Sequence, residues 1–233
     1  MEIDLLKNYP KAKRDLSARL ESKSEEVREI ARKFGRDFFD GDRECGYGGF
    51  HYNPRFWEDV IPDFINHWNL DDSSSILDIG CAKGFMMHDF LLALPKLRIE
   101  GIDISDYAIN NGYPSVQKLL KVASCEKLPY EDNSFDYAIS VNTIHNLDRE
   151  GVIKSLKEIN RVTSKGSFIT VDAYRDEDEK ARMFAWNLTA KTILHVNEWK
   201  ELFDEANYEG DYFWFIPWSI DYAFKASKND DSN

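Results

Sequence analysis

Between Ser74 and Ser105 the chain changes its hydrophobic period twice, and no other stretch limits its possible folds as tightly. An apolar run, Ile76-Leu77-Asp78-Ile79, meets a turn at Gly80. Apolar residues at helical spacing follow from Phe85 to Leu94, and a second apolar run ends in Asp103. Strand, glycine-rich turn, helix and strand in that order make a parallel βαβ unit. A unit of this length sets the open turn and the Asp103 carboxylate at one edge of the sheet, where doubly wound folds bind ligands. The turn can come backbone-close to a ligand, and the acid can accept hydrogen bonds from a ribose diol.

A dinucleotide turn of the form G-x-G-x-x-G would put glycines at 80, 82 and 85. This chain has Gly80, Ala82 and Phe85, which weakens the reading as an NAD-dependent oxidoreductase. Asp78-x-Gly80-x-Ala82-x-Gly84, with an acid closing the next strand, resembles the first two motifs of class I S-adenosylmethionine (SAM)-dependent methyltransferases, of the methyltransferase type 11 kind. Ala123 to Ser140 resembles the family segment that lines the adenine and enters the fourth strand. Ser140 to Leu147 resembles the strand end and loop beside the transferred methyl group. Two residues depart from the commonest pattern: Ala82 replaces a frequent glycine, and Ser124 stands where an aspartate often meets the adenine amino group.

The resemblance implies SAM as cofactor and S-adenosyl-L-homocysteine (SAH) as product. It implies cofactor contacts from Asp78, Gly80, Ala82, Gly84, Asp103, Ile104, Ser124, Cys125, Glu126 and Asn142. Asp78 would orient the methionine amino group, and Asp103 would hold the ribose hydroxyls. Adenine would be met by the Ser124 hydroxyl, by backbone around Cys125, or by Glu126. On the acceptor side, a hydroxyl nucleophile benefits from a base whereas an uncharged amine needs mainly positioning. His145, in the loop after the fourth strand, is the candidate catalytic base; an ordinary polar histidine is the competing reading. Asp172 and Tyr174, after the fifth strand, are expected at the same rim as substrate contacts.

Cys45 to Trp57 combines glycines with six aromatic or imidazole side chains. It suits either a lid over the ligand or a compact loop packed by its own rings. Related methyltransferases use N-terminal elements as lids, so Tyr47, His51 and Tyr52 are further substrate-contact candidates by resemblance. The separated His51 and His195 do not form a metal-ligand pattern, and no metal is expected.

Composition narrows the partners. With 42 acidic against 30 basic residues the formal charge is -12, which disfavours nonspecific attraction to nucleic-acid phosphates. No apolar run approaches the ~20 residues that cross a bilayer, and the N-terminal stretch lacks a signal peptide's apolar centre. A cytoplasmic location is expected, with Cys45, Cys81 and Cys125 as reduced thiols.

In order, apolar spacing predicts one amphipathic helix or two shorter ones from Lys11 to about Phe34, helix from Pro54 to Trp68, then the βαβ unit and a short helix over Ser105 to Asn111. Strands are predicted over Leu119 to Cys125, Phe135 to Asn142 and Gly166 to Val171, with helices over Arg149 to Val162 and Glu198 to Ala206. Tyr212 to Ile216 and Ile220 to Lys225 flank Pro217 and resemble the family's terminal antiparallel hairpin. The expectation is an α/β, Rossmann-like, doubly wound sheet of seven strands with an N-terminal helical lid. Residues 1–70 would cap a core over 71–226, followed by a polar, disordered tail over 227–233. The expected activity is methyl transfer to an oxygen or nitrogen of a small molecule, with a protein-modifying enzyme or a non-catalytic SAM-binding regulator as alternatives. Oligomeric state is left open.

Overall fold

The computed structural model describes residues 1–10, 24–42, 44–46 and 51–216. Its centre is a seven-stranded sheet. β1 (Ser75–Ile79) is buried along its whole length, because a middle strand of a parallel sheet is covered on both faces. β2 (Arg98–Asp103) and β3 (Leu120–Val122) lie on one side of it. β4 (Phe135–Val141) and β5 (Thr163–Tyr174) lie on the other, and β6 (Leu194–His195) and β7 (Asp211–Phe215) both pair with β5. Every one of these pairings is parallel.

Side-chain alternation divides the core between the two faces. Leu77, Ala138, Ile169 and Val171 pack with α6 (Arg149–Val162) and α8 (Val196–Glu205), through Val152, Leu156, Ile159, Trp199, Leu202 and Phe203. Ile76, Ile139 and Phe168 pack with α3 (Ile61–Trp68) and α4 (Phe85–Ala93), through Ile61, Phe64, Met86, Met87 and Phe90. At ~1.5–3 kcal/mol for each fully buried large aliphatic or aromatic side chain, these two layers dominate the stabilisation of the sheet. α6 starts where Asp148 accepts the Gly151 amide at 2.9 Å, and its buried residues keep the helical spacing read from the sequence.

β7 holds the first half of the expected terminal hairpin; the chain between β6 and β7 is a helix, which returns it in the same direction, so β7 runs parallel to β5. Residues 220–225, the other half of that hairpin, lie outside the described residues, as do 11–23, most of the predicted first helix, and the tail. The described part of that helix is α1 (Glu25–Ala31), capped by Ser24. Pro54 to Trp68 divides into a 3-10 turn, Pro54–Phe56, and α3. α7 (Glu177–Trp186) and β6 escaped the sequence pattern. Only Met183 of α7 is buried, so the helix has no apolar stripe; it is set by Asp176, which accepts the Glu179 amide at 2.8 Å, and by three acids in its first turn.

The N-terminal elements are joined to both ends of the ligand edge. α2 (Arg36–Asp40) and the residues before it meet α5 (Asp106–Asn110), where the Ser105 hydroxyl donates to the Phe34 carbonyl at 2.5 Å. Arg28 of α1 donates to the Asn187 carbonyl, just past α7, at 2.5 Å.

Candidate active site at the carboxyl ends of the strands

The turn after β1 is built from left-handed backbone. Gly80, Ala82 and Gly84 have φ of 80°, 50° and 77°. A Cβ at Gly80 would lie 2.0 Å from the Thr143 hydroxyl, so glycine is required there by contact as well as by φ. Ala82 carries a real Cβ in this region, at a cost of ~1–2 kcal/mol that glycine would avoid. The amides of Gly80 and Cys81 both donate to the Ile102 carbonyl, at 2.8 and 2.9 Å, which fastens the turn to β2.

Asp103 fastens it a second time. One carboxylate oxygen accepts the Ala82 amide at 2.9 Å and the other accepts the Ser105 amide at 2.8 Å. Each oxygen retains acceptor capacity for a diol. Burial raises the Asp103 pKa, and those amide bonds restrain the rise. Asp78, one strand away, is 3% exposed, and no hydrogen bond to its carboxyl group is found among the described residues. Burial, followed by repulsion from Asp103, pushes its pKa up to about 8. A buried acid and a half-buried acid side by side, with no cation between them among the described residues, are poised for a ligand that carries one. Ile104, 58% exposed beside Asp103, offers an apolar surface on the same edge.

The segment expected to meet adenine is less open. The Ser124 hydroxyl accepts the Glu126 amide at 3.2 Å, and the Cys125 thiol accepts the Ser155 hydroxyl at 3.3 Å. Burial raises the Cys125 pKa, so the thiol stays protonated and engaged with α6. Asn142 turns with φ 51°; its side-chain oxygen accepts the Thr170 hydroxyl at 2.9 Å, which leaves its NH₂ as the group to offer a ligand.

At the rim, His145 is 4% exposed and its Nδ1 accepts the Asp172 backbone amide at 2.9 Å. An amide can only donate, so the neutral ring carries its hydrogen on Nε2. Burial lowers the His145 pKa against the opposing pull of Asp172. The accepting nitrogen of His145 is thus occupied, and Nε2–H is what the ring has left to offer the rim. Asp172 reaches the rim through its backbone and is 7% exposed. The Tyr174 hydroxyl lies 3.5 Å from Glu198, on the α8 side.

Of the lid candidates, Tyr47 lies outside the described residues and His51 is exposed. Tyr52 is spoken for: its hydroxyl donates to Asp89 at 2.6 Å, and its ring packs with Phe85, His88 and Tyr113. The sequence reading missed Lys83, which is buried inside the turn and paired with Asp40 of α2 at 2.5 Å, while the Tyr107 hydroxyl donates to the same acid at 2.8 Å. A lysine within a glycine turn was a visible signal that an acid must meet it, but nothing in the sequence identified Asp40.

A cavity of about 310 Å³ lies elsewhere, lined by His67, Tyr137, Lys165, Ser167 and Asp211. It sits at the amino ends of the strands, where His67 meets Asp211 at 2.7 Å and Lys165 pairs with Asp136 at 3.0 Å. The loop ends that bind ligands in doubly wound sheets are at the opposite edge.

Residues 77–171 match the family model described as a methyltransferase domain. Similar curated proteins include the malonyl-[acyl-carrier protein] O-methyltransferase of Legionella pneumophila, 28% identical over 55% of this chain and 46% of its own length. The tRNA (carboxymethyluridine(34)-5-O)-methyltransferase of Arabidopsis thaliana is 33% identical over 56% of this chain and 31% of its own. The chain thus spans less than half the length of either. Among solved structures, MccD protein is 25% identical with a TM-score of 0.51, over 62% of this chain and 68% of that one. Sheet, turn and the match over residues 77–171 together support a class I SAM-dependent methyltransferase domain.

Proposed function

We propose that this methyltransferase transfers the methyl group of SAM to an oxygen or nitrogen of a small molecule. The observation that carries the reading is the pair Asp78 and Asp103: one buried acid without a hydrogen-bond donor, and one that already holds the turn, facing the same strand edge. Bound there, SAM supplies an electrophilic methyl group on a sulfonium, whose departure leaves a neutral thioether and needs no acid. Asp78 would accept from the methionine ammonium, Asp103 would accept from the ribose diol, and Ile104 would offer the adenine an apolar contact. Ser124 and the Asn142 amide complete the polar contacts.

A small acceptor is supported by the formal charge of -12, which opposes a polyphosphate partner. The L. pneumophila relative is by name an O-methyltransferase of an acyl-carrier conjugate and the A. thaliana relative one of a tRNA, so acceptor class differs among the chain's relatives. Three free thiols, Cys45, Cys81 and Cys125, support a reducing, cytoplasmic setting. Calorimetry with SAM, SAH and NAD tests the cofactor; binding of NAD in preference to both would end this reading. Methyl-labelled SAM incubated separately with a metabolite extract, with protein and with RNA tests the acceptor. Label entering only protein or only RNA would replace the small molecule.

A further inference from the structure

We propose, resting on the small-molecule reading above, that His145 and Lys191 form an anion-accepting pair at the acceptor rim and that the acceptor is an ionised carboxylate, released as its methyl ester. His145 is held through both its ring and its backbone. Nδ1 accepts the Asp172 amide at 2.9 Å, and the His145 carbonyl accepts the amides of Lys191 and Thr192, each at 3.0 Å. The Thr192 hydroxyl adds a bond to the Leu147 carbonyl at 2.7 Å. The ring edge that remains is Nε2–H, a donor.

A second proton on this ring would set N–H against N–H at Asp172 and leave a buried amide without its acceptor. His145 is thus held as a neutral donor. The other ionisable groups packed around it do not restore a base. The nearer Asp172 carboxylate oxygen lies 3.6 Å from Nδ1, on the side of the ring away from Nε2. Tyr174 is turned to Glu198. His195 has both nitrogens in use, Nδ1 accepting the Asn197 amide at 3.1 Å and Nε2 on the Arg175 carbonyl at 3.0 Å.

A hydroxyl acceptor loses its candidate base under this arrangement, and an amine would have its lone pair covered by the Nε2 hydrogen. An acid needs neither, because a carboxylate is ionised and nucleophilic at neutral pH. Lys191 supplies a matching charge: its backbone is pinned to His145, its side chain is exposed, and it makes no ion pair among the described residues. In the transfer, a carboxylate oxygen provides the pair for the new oxygen–carbon bond. The methyl–sulfur bond breaks with its pair kept by sulfur, and no proton moves.

Two measurements on the full chain test this. Imidazole ¹⁵N spectra of the SAH-saturated protein are expected to show His145 as the Nε2–H tautomer from pH 6 to 9, with Nε2 shifting on addition of benzoate or malonate. A ring that becomes imidazolium in that range, or carries its proton on Nδ1, overturns the proposal. Tritiated-methyl SAM incubated with a deproteinised metabolite extract is expected to give label that mild alkali releases as methanol, whereas alkali-stable label overturns it. His145→Gln, which keeps an N–H donor but cannot act as base, is expected to retain more labelling than His145→Leu; equal loss in both points to a base. Lys191→Ala, at an exposed position, is expected to raise the half-saturating extract dose about tenfold with little change in maximal rate. An unchanged dose removes Lys191 and with it the anion pair. Calorimetry separates the two readings: no binding of SAM or SAH fails the methyltransferase reading itself, while binding with alkali-stable label fails this inference alone.

Discussion

The cofactor turn and the acceptor rim stand at the same edge of one sheet, yet they are held by bonds of different reach. The backbone of the turn is fastened within one βαβ unit, where Ala82 donates to Asp103, 21 residues on, and Gly80 and Cys81 donate to Ile102, while the Lys83 side chain reaches out of the unit to Asp40. The rim is fastened by distant chain: His145 by Asp172, 27 residues on, and by Lys191 and Thr192 beyond α7. Bonds inside one βαβ unit close short loops at low entropic cost, whereas the rim exists only after β5, α7 and the following loop have docked. A rigid, locally encoded cofactor cradle is thereby combined with a rim that can change its side chains without disturbing the cradle.

The contrast is broken most directly at Gly80. Gly80→Val should cost more than ~3 kcal/mol in urea unfolding, from left-handed strain plus collision with Thr143, and should abolish SAM binding. A near-native unfolding midpoint would mean that the turn is less rigid than its geometry.

Asp78→Asn should move stability and binding in opposite directions. The folded protein keeps a proton on Asp78 up to about pH 8, while the unfolded chain loses it near ~4. Between those values the folded state binds more protons, so the Asp78 contribution to stability is full below ~4 and is lost as pH rises toward 8. The variant should therefore be the more stable protein at pH 8, with a flatter pH dependence, and should bind SAM roughly 10- to 100-fold more weakly. In the native chain SAM affinity should rise with pH to about 8, where the ligand's own α-amino group begins to lose its proton. Affinity independent of pH between 6 and 8 would detach Asp78 from the ammonium.

Asp103→Ala should be milder for binding than a loss of the turn but should not be silent for the fold, since it strips an acceptor from two backbone amides. A destabilisation of ~1–3 kcal/mol is expected in thermal unfolding, together with weaker SAM binding by calorimetry. At the rim, Tyr174→Phe should change stability by less than ~0.5 kcal/mol and leave methyl transfer unchanged, because only a 3.5 Å contact to Glu198 is removed. A tenfold fall in kcat/KM would return Tyr174 to the acceptor pocket.

The two regions also differ in how far they can be read from residues alone. Asp78, Gly80, Gly84 and Asp103 declare themselves through spacing within one unit, and α6 appears in the structure with the bounds its apolar period predicts. α7 does not, because its N-terminal cap and acidic first turn fix it where apolar spacing is silent. His145 and Tyr174 were legible as rim residues by resemblance, while the atoms they use were not. The tautomer of His145 depends on an amide from β5, and the direction of Tyr174 on an acid of α8.

The sequence by itself determined the βαβ unit, the α/β class and the acids at the strand ends, since hydrophobic period and turn chemistry act over a few residues. Only the tertiary structure decided that β7 runs parallel to β5, that Lys83 is answered by Asp40, and that His145 is a donor. Each of those depends on which distant group fills a particular lone pair or strand edge, and that is fixed when separate parts of the chain pack together.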